Sequence, residues 1–72
     1  MVTIVMKSGK VFRDVALKSA TKSLVQVTMS RAEVWGDELL EMASGGEVFS
    51  FQEWGDSEWW VSFNTEAVEG VK

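Results

Sequence analysis

Two alternating apolar runs separated by three turn-forming residues constrain this chain more than any other feature. Glu47 to Trp54 and Glu58 to Asn64 read as strands, with Gly55-Asp56-Ser57 between them. Gly supplies positive φ at no steric cost, and Asp and Ser bond readily to turn backbone. Side chains alternate along a strand, so loop length fixes which apolar residues share a face. With Trp54 opposite Glu58, Phe49, Phe51, Trp59, Val61 and Phe63 come together. With Trp54 opposite Trp59 they would be split. The pattern therefore predicts an odd-length loop. The other face then holds Val48, Ser50, Gln52, Trp54, Trp60 and Ser62.

The remaining segments add to this hairpin. Val2 to Met6 is β-branched and apolar, as a strand requires. Lys7-Ser8-Gly9-Lys10 is a polar break, and Val11 to Leu17 reads as a second strand. In it Val11, Arg13, Val15 and Leu17 share one face, and Phe12, Asp14 and Ala16 the other. Lys18 to Ser23 is polar and reads as a loop. Leu24 to Met29 fits either a third strand or a backward extension of the following helix, and a strand is preferred. Ser30-Arg31-Ala32-Glu33 has the spacing of a capping box, in which Ser30 and Glu33 would satisfy each other's free amides. Val34, Trp35, Leu39, Met42 and Ala43 follow with helical spacing, Leu40 lies beside them, and Gly45-Gly46 ends the helix. Gly36 inside it costs about 1 kcal/mol relative to Ala, and its bare Cα would let another backbone come close. Asn64-Thr65-Glu66 reads as a turn and Ala67 to Val71 as a last short strand. The expected architecture is one α+β domain over residues 1–72, roughly ββ(β)αβββ. It is a small antiparallel sheet of two hairpins plus short strands, free to curl towards an open barrel, with one helix across it.

A chain of 72 residues buries only about 60% of its unfolded surface. Small folds offset this with disulfides, a metal, self-association or a dense aromatic core. The chain has no Cys and no His, so disulfides are excluded and the commonest zinc ligands are missing. Four Trp and four Phe can supply the aromatic core. The apolar start at Met1 to Met6 is short for a signal peptide, and no run approaches a membrane span. A cytoplasmic location is the expectation, and missing Cys agrees with a reducing compartment.

Charge is sorted along the chain. Up to Arg31, six bases stand against one acid, a formal +5. From Ala32 on, ten acids stand against Lys72 alone, a formal −9. All four Trp lie in the acidic part. The net charge of −4 disfavours general attraction to nucleic acid or anionic membrane.

The two ends resemble small phage and prophage proteins of Gram-positive bacteria. Met1-Val2-Thr3-Ile4-Val5-Met6-Lys7-Ser8-Gly9-Lys10 is similar to their strand-Lys-small-Gly-Lys opening. Trp60-Val61-Ser62-Phe63-Asn64-Thr65-Glu66-Ala67-Val68-Glu69-Gly70-Val71 is similar to their common ending, a strand entering an Asn-Thr turn and leaving as a short strand. The resemblance covers about a third of the chain and brings no catalytic residues. It implies a mobile-element origin and a role in contact with a host or phage protein.

Few residues here suit catalysis. Without His or Cys the usual nucleophile-base pairs cannot form. Asp56 and Glu58 face each other across the turn, but a turn Asp and a solvated strand-end Glu account for them. Asp37, Glu38 and Glu41 suit the wet face of a helix better than a cation site. Ser8-Gly9-Lys10 lacks the rest of a phosphate loop. No catalytic residue, metal or cofactor is expected, and the chain is read as a non-enzyme.

The tryptophans carry more. Trp59 and Trp35 read as core. Trp54 and Trp60 fall together on the other face of the hairpin, where an external partner, a second copy or the helix could cover them. The first expectation is an interaction protein whose Trp54 and Trp60 anchor a protein partner with a basic surface, steered by Glu53, Asp56 and Glu58. Such an acidic surface could also occupy a nucleic-acid-binding cleft. The second is a single-strand nucleic-acid binder, with stacking aromatics beside Lys7, Lys10, Arg13, Lys18 and Lys22. The third is a structural homo-oligomer joined through its oppositely charged regions.

Overall fold

Local sequence and register build one antiparallel sheet in the computed structural model, which describes all 72 residues. The elements are β1 (Val2–Met6), β2 (Val11–Ala20), β3 (Leu24–Ser30), α1 (Gly36–Ser44), β4 (Val48–Trp54), β5 (Glu58–Asn64) and β6 (Val68–Val71), with a 3₁₀ turn at Thr65–Ala67 before β6. The six strands run in the order β4-β5-β3-β2-β1-β6, so β4 and β6 are the two margins and the sheet does not close into a barrel. This is the expected α+β fold, with Leu24 to Ser30 as a strand. No helix is long and apolar enough to cross a membrane.

The second hairpin has the register that alternation demands. Trp54 pairs with Glu58, Phe51 with Val61 and Ser50 with Ser62 across a three-residue loop. Gly55 takes φ +64°, which a side chain would resist. Beta3 continues the same rows, with Val25, Val27 and Met29 opposite Phe63, Val61 and Trp59. Those residues face the core, where they join Ile4, Met6, Phe12, Val15, Val34, Leu39, Met42 and Val48.

Three expectations about the strands are corrected, and a bulge explains each. Alternation expects Phe49 on the core face, but it is the extra residue of a bulge between Val48 and Ser50. Val48 is buried in its place, and Phe49 is 66% exposed. In β2, Asp14 takes φ +55° and the pairing with β1 slips there. Strict alternation is lost, and Phe12 and Val15 both enter the core although alternation alone puts them on opposite faces. A second bulge at Lys18 lets β2 continue to Ala20, so the first part of the expected 18–23 loop is strand.

The helix begins later than the capping-box spacing predicts. Ser30 is held in β3 opposite Glu58, and the Arg31 amide donates to the Ser57 carbonyl at 2.9 Å. With both residues tied to the sheet, helical dihedrals cannot start there. The Ser30 hydroxyl accepts from the Ala32 amide instead, at 3.1 Å. Trp35 becomes the residue before the helix, in extended conformation and with no side-chain cap. It is 80% exposed rather than core. Leu39 and Met42 still face inward. At the other end the Gly46 amide reaches Ala43 and the Glu47 amide reaches Met42, with Gly46 at φ +82°. Those bonds satisfy two of the last free carbonyls of the helix.

Candidate interaction surface on the second hairpin

Register decides what stands beside Trp54 and Trp60. Residues directly opposite across strands share a face. On the face away from the core, one row runs Ala16, Thr28, Trp60 and Gln52, and the next runs Ser30, Glu58 and Trp54. Trp54 and Trp60 therefore lie diagonally on neighbouring strands, with ring centroids 5.0 Å apart and planes inclined by 48°. Trp60 is half-buried, while Trp54 remains 48% exposed at the margin. On the same face the Gln26 amide donates to the Ser62 hydroxyl at 3.1 Å. The side chains around the Trp pair are thus small or neutral, with Glu58 as the one charge in these rows.

Trp59 points the other way, as expected of a core residue. Its indole nitrogen donates to the Val34 carbonyl at 3.0 Å, and its ring meets Phe51 edge-on at 5.7 Å. Gly36 lies beside this ring. A Cβ at that position would lie 3.4 Å from the Trp59 ring, in van der Waals contact, so the indole packs against the helix start without requiring a glycine there. The neighbour is a side chain and not the expected backbone.

Of the five residues named from sequence, four sit at the outer face and tip, and one turns away. Trp54, Trp60 and Glu58 share the outer face, and Asp56 is exposed in the loop. Glu53 lies opposite Trp59, on the core side of β4. Its carboxylate is 3.4 Å from Arg31 Nη1. Both partners are substantially exposed, so this ion pair itself contributes little.

Arg31 is the residue that sequence reading missed. Its Nη2 donates to the Gly55 carbonyl at 2.8 Å and its Nε to the Glu58 carbonyl at 3.2 Å. The guanidinium also lies 5.4 Å from the centre of the Trp59 ring. One planar fork thus holds both ends of the β4–β5 loop. Its partners are over twenty residues away in sequence, so nothing local announces them.

The electrostatics follow from the same layout. From Gly36 to Asn64, covering α1, β4 and β5, there are seven acids and no base. Arg31 on Glu53 and Lys10 on Glu38, at 3.6 Å, are the two salt bridges that reach this region. No three of the acidic side chains converge as a cation site would require. The chain matches no protein-family model, no curated protein and no solved structure.

Proposed function

We propose that this chain is a non-enzymatic interaction protein that binds a basic protein partner through its second hairpin. The observation that carries the proposal is the half-exposed Trp54–Trp60 pair on the outer face of a region with seven acids and no base. Tryptophan supplies large, rigid contact area and dominates many binding hot spots. Glu58 and Asp56 beside it, and Glu53 around the margin, steer cationic partners and make association salt-dependent. The missing His and Cys support a role without catalysis. The resemblance of both chain ends to phage and prophage proteins supports a mobile-element origin.

The layout favours this reading over single-strand nucleic-acid binding. Stacking platforms for nucleic acid carry cations beside their aromatics. The rows that hold Trp54 and Trp60 contain no Lys or Arg. The test is affinity capture from a bacterial lysate, nuclease-treated, with the wild-type chain and with Trp54→Ala/Trp60→Ala. A discrete basic protein retained by the wild type and lost by the folded variant is the expected result. Equal recovery by the variant removes the Trp anchors. Recovery that requires intact nucleic acid overturns the protein reading.

A further inference from the structure

Beta4 ends the sheet, so alternate backbone N–H and C=O groups along it point outward with no partner strand. Natural edges are commonly guarded by Lys, Pro, bulges or short length. Beta4 spans seven residues and contains no Lys, Arg or Pro. Its bulge sits at Phe49, near its start, and Ser50 to Trp54 run in unbroken register. Its one charged residue, Glu53, is drawn to Arg31. Exposed apolar side chains lie on this margin and on the helix packed against it. Phe49 and Trp54 lie on β4, and Leu40, 60% exposed, lies on the helix that packs against β4.

Charge decides what can dock there. A second copy joined edge to edge would bring two acidic regions together, each with seven acids and no base across α1, β4 and β5. Like charges juxtaposed across an interface disfavour it. An extended cationic segment meets no such opposition.

We propose that β4 accepts, as a seventh strand, an extended basic segment of the partner in which apolar and basic residues alternate. This rests on the basic partner proposed above and adds how that partner is held. Backbone hydrogen bonds supply affinity, and alternate side chains supply selectivity. Side chains on the outer face fall beside Ser50, Gln52 and Trp54, where Lys or Arg can lie over the indole and approach Glu58. Side chains on the core face fall beside Phe51 and the helix, where apolar groups cover Phe51 and Leu40.

The test leaves the protein unaltered. A capped heptapeptide, Lys-Val-Lys-Val-Lys-Val-Lys, is titrated into the full chain at low salt and followed by amide chemical shifts. Two further peptides carry N-methyl groups on the Lys amides or on the Val amides. Only one of the two sets can donate to β4. Strand addition therefore predicts that one methylated peptide binds like the parent and the other weakens roughly tenfold or more. Shifts should centre on β4. If both methylated peptides bind like the parent, charge alone drives binding; strand addition then falls while the basic-partner reading stands. No binding at about 1 mM peptide overturns it as well. So does a dimer at working concentration whose β4 amides are already protected from exchange, since a second copy then owns the edge.

Discussion

The two margins of this sheet are built on opposite terms. Beta6 has four residues, includes Gly70, and slips register against β1 at Glu69. It is short, bulged and charged, three devices that discourage further strands. Beta4 is longer and carries aromatic residues, and its bulge leaves the stretch nearest the hairpin tip regular. The difference extends to what lies behind each margin. Beta4 is packed on Trp59 through Phe51 and its loop is held by Arg31, whereas on β6 the Lys72 amide donates to the Thr3 carbonyl. One margin is guarded and the other is braced from beneath.

The largest test of that contrast removes the brace. Trp59→Ala deletes the indole bond to Val34, the edge contact with Phe51 and the surface on which Gly36 rests. It should lower unfolding free energy by about 3 kcal/mol, at the lower end for Trp because Trp59 is only half-buried. Urea denaturation measures this. A loss below about 1 kcal/mol, the range of an ordinary surface change, would mean that the β4 margin is held by something else.

Arg31→Ala should cost about 1–2 kcal/mol, from hydrogen bonds to two loop carbonyls and packing on Trp59. Amide exchange should accelerate at Gly55 to Glu58 while β6 is unchanged. Arg31→Lys should restore little, because an ammonium cannot reproduce the fork. Glu53→Gln, by contrast, should stay within about 0.5 kcal/mol of wild type, as an exposed ion pair does. If Glu53→Gln costs as much as Arg31→Ala, the clamp works through the carboxylate and not through the loop carbonyls.

Phe49→Lys makes β4 resemble a guarded edge. Its side chain is mostly solvated, so stability should change by no more than about 0.5 kcal/mol. Binding of the basic heptapeptide should nonetheless weaken about fivefold, through added like charge at the margin. Unchanged binding at low salt would move the docking strand away from Phe49.

How far the sequence reveals this arrangement depends on the range of the contacts involved. The β4–β5 register was legible because only an odd loop keeps Phe51, Trp59, Val61 and Phe63 together, and the Trp54–Trp60 pairing followed from it. The bulge was not legible. Val48 and Phe49 are both apolar, and either fits the core from the pattern alone. At Asp14 the reason is similar, since an inserted residue changes the period without changing the composition. The helix start was misplaced because Ser30 and Arg31 carry a sound local capping signal that the strand and the β4–β5 loop override. Glu53 could have been assigned to the core side from alternation, since it neighbours Trp54 in sequence.

Trp35 offers a small effect of opposite sign. It stands at the position where a helix gains most from a Ser, Thr, Asp or Asn side chain, yet no side chain caps α1. Its backbone already serves the helix, since its carbonyl accepts from the Glu38 and Leu39 amides at 3.1 Å. Trp35→Ser keeps those bonds and adds a hydroxyl able to accept from a free amide of the first turn. The indole it removes is largely solvated, so little packing is lost. The substitution should raise stability by about 0.5–1 kcal/mol, read as a higher urea midpoint at unchanged slope. The contrast with Trp59→Ala then separates two tryptophans that look alike in sequence, one holding the β4 margin from beneath and one standing clear of it. A loss of more than about 1 kcal/mol on Trp35→Ser would mean that the exposed indole contributes packing out of proportion to its contact, and that the margin's brace extends along the helix start.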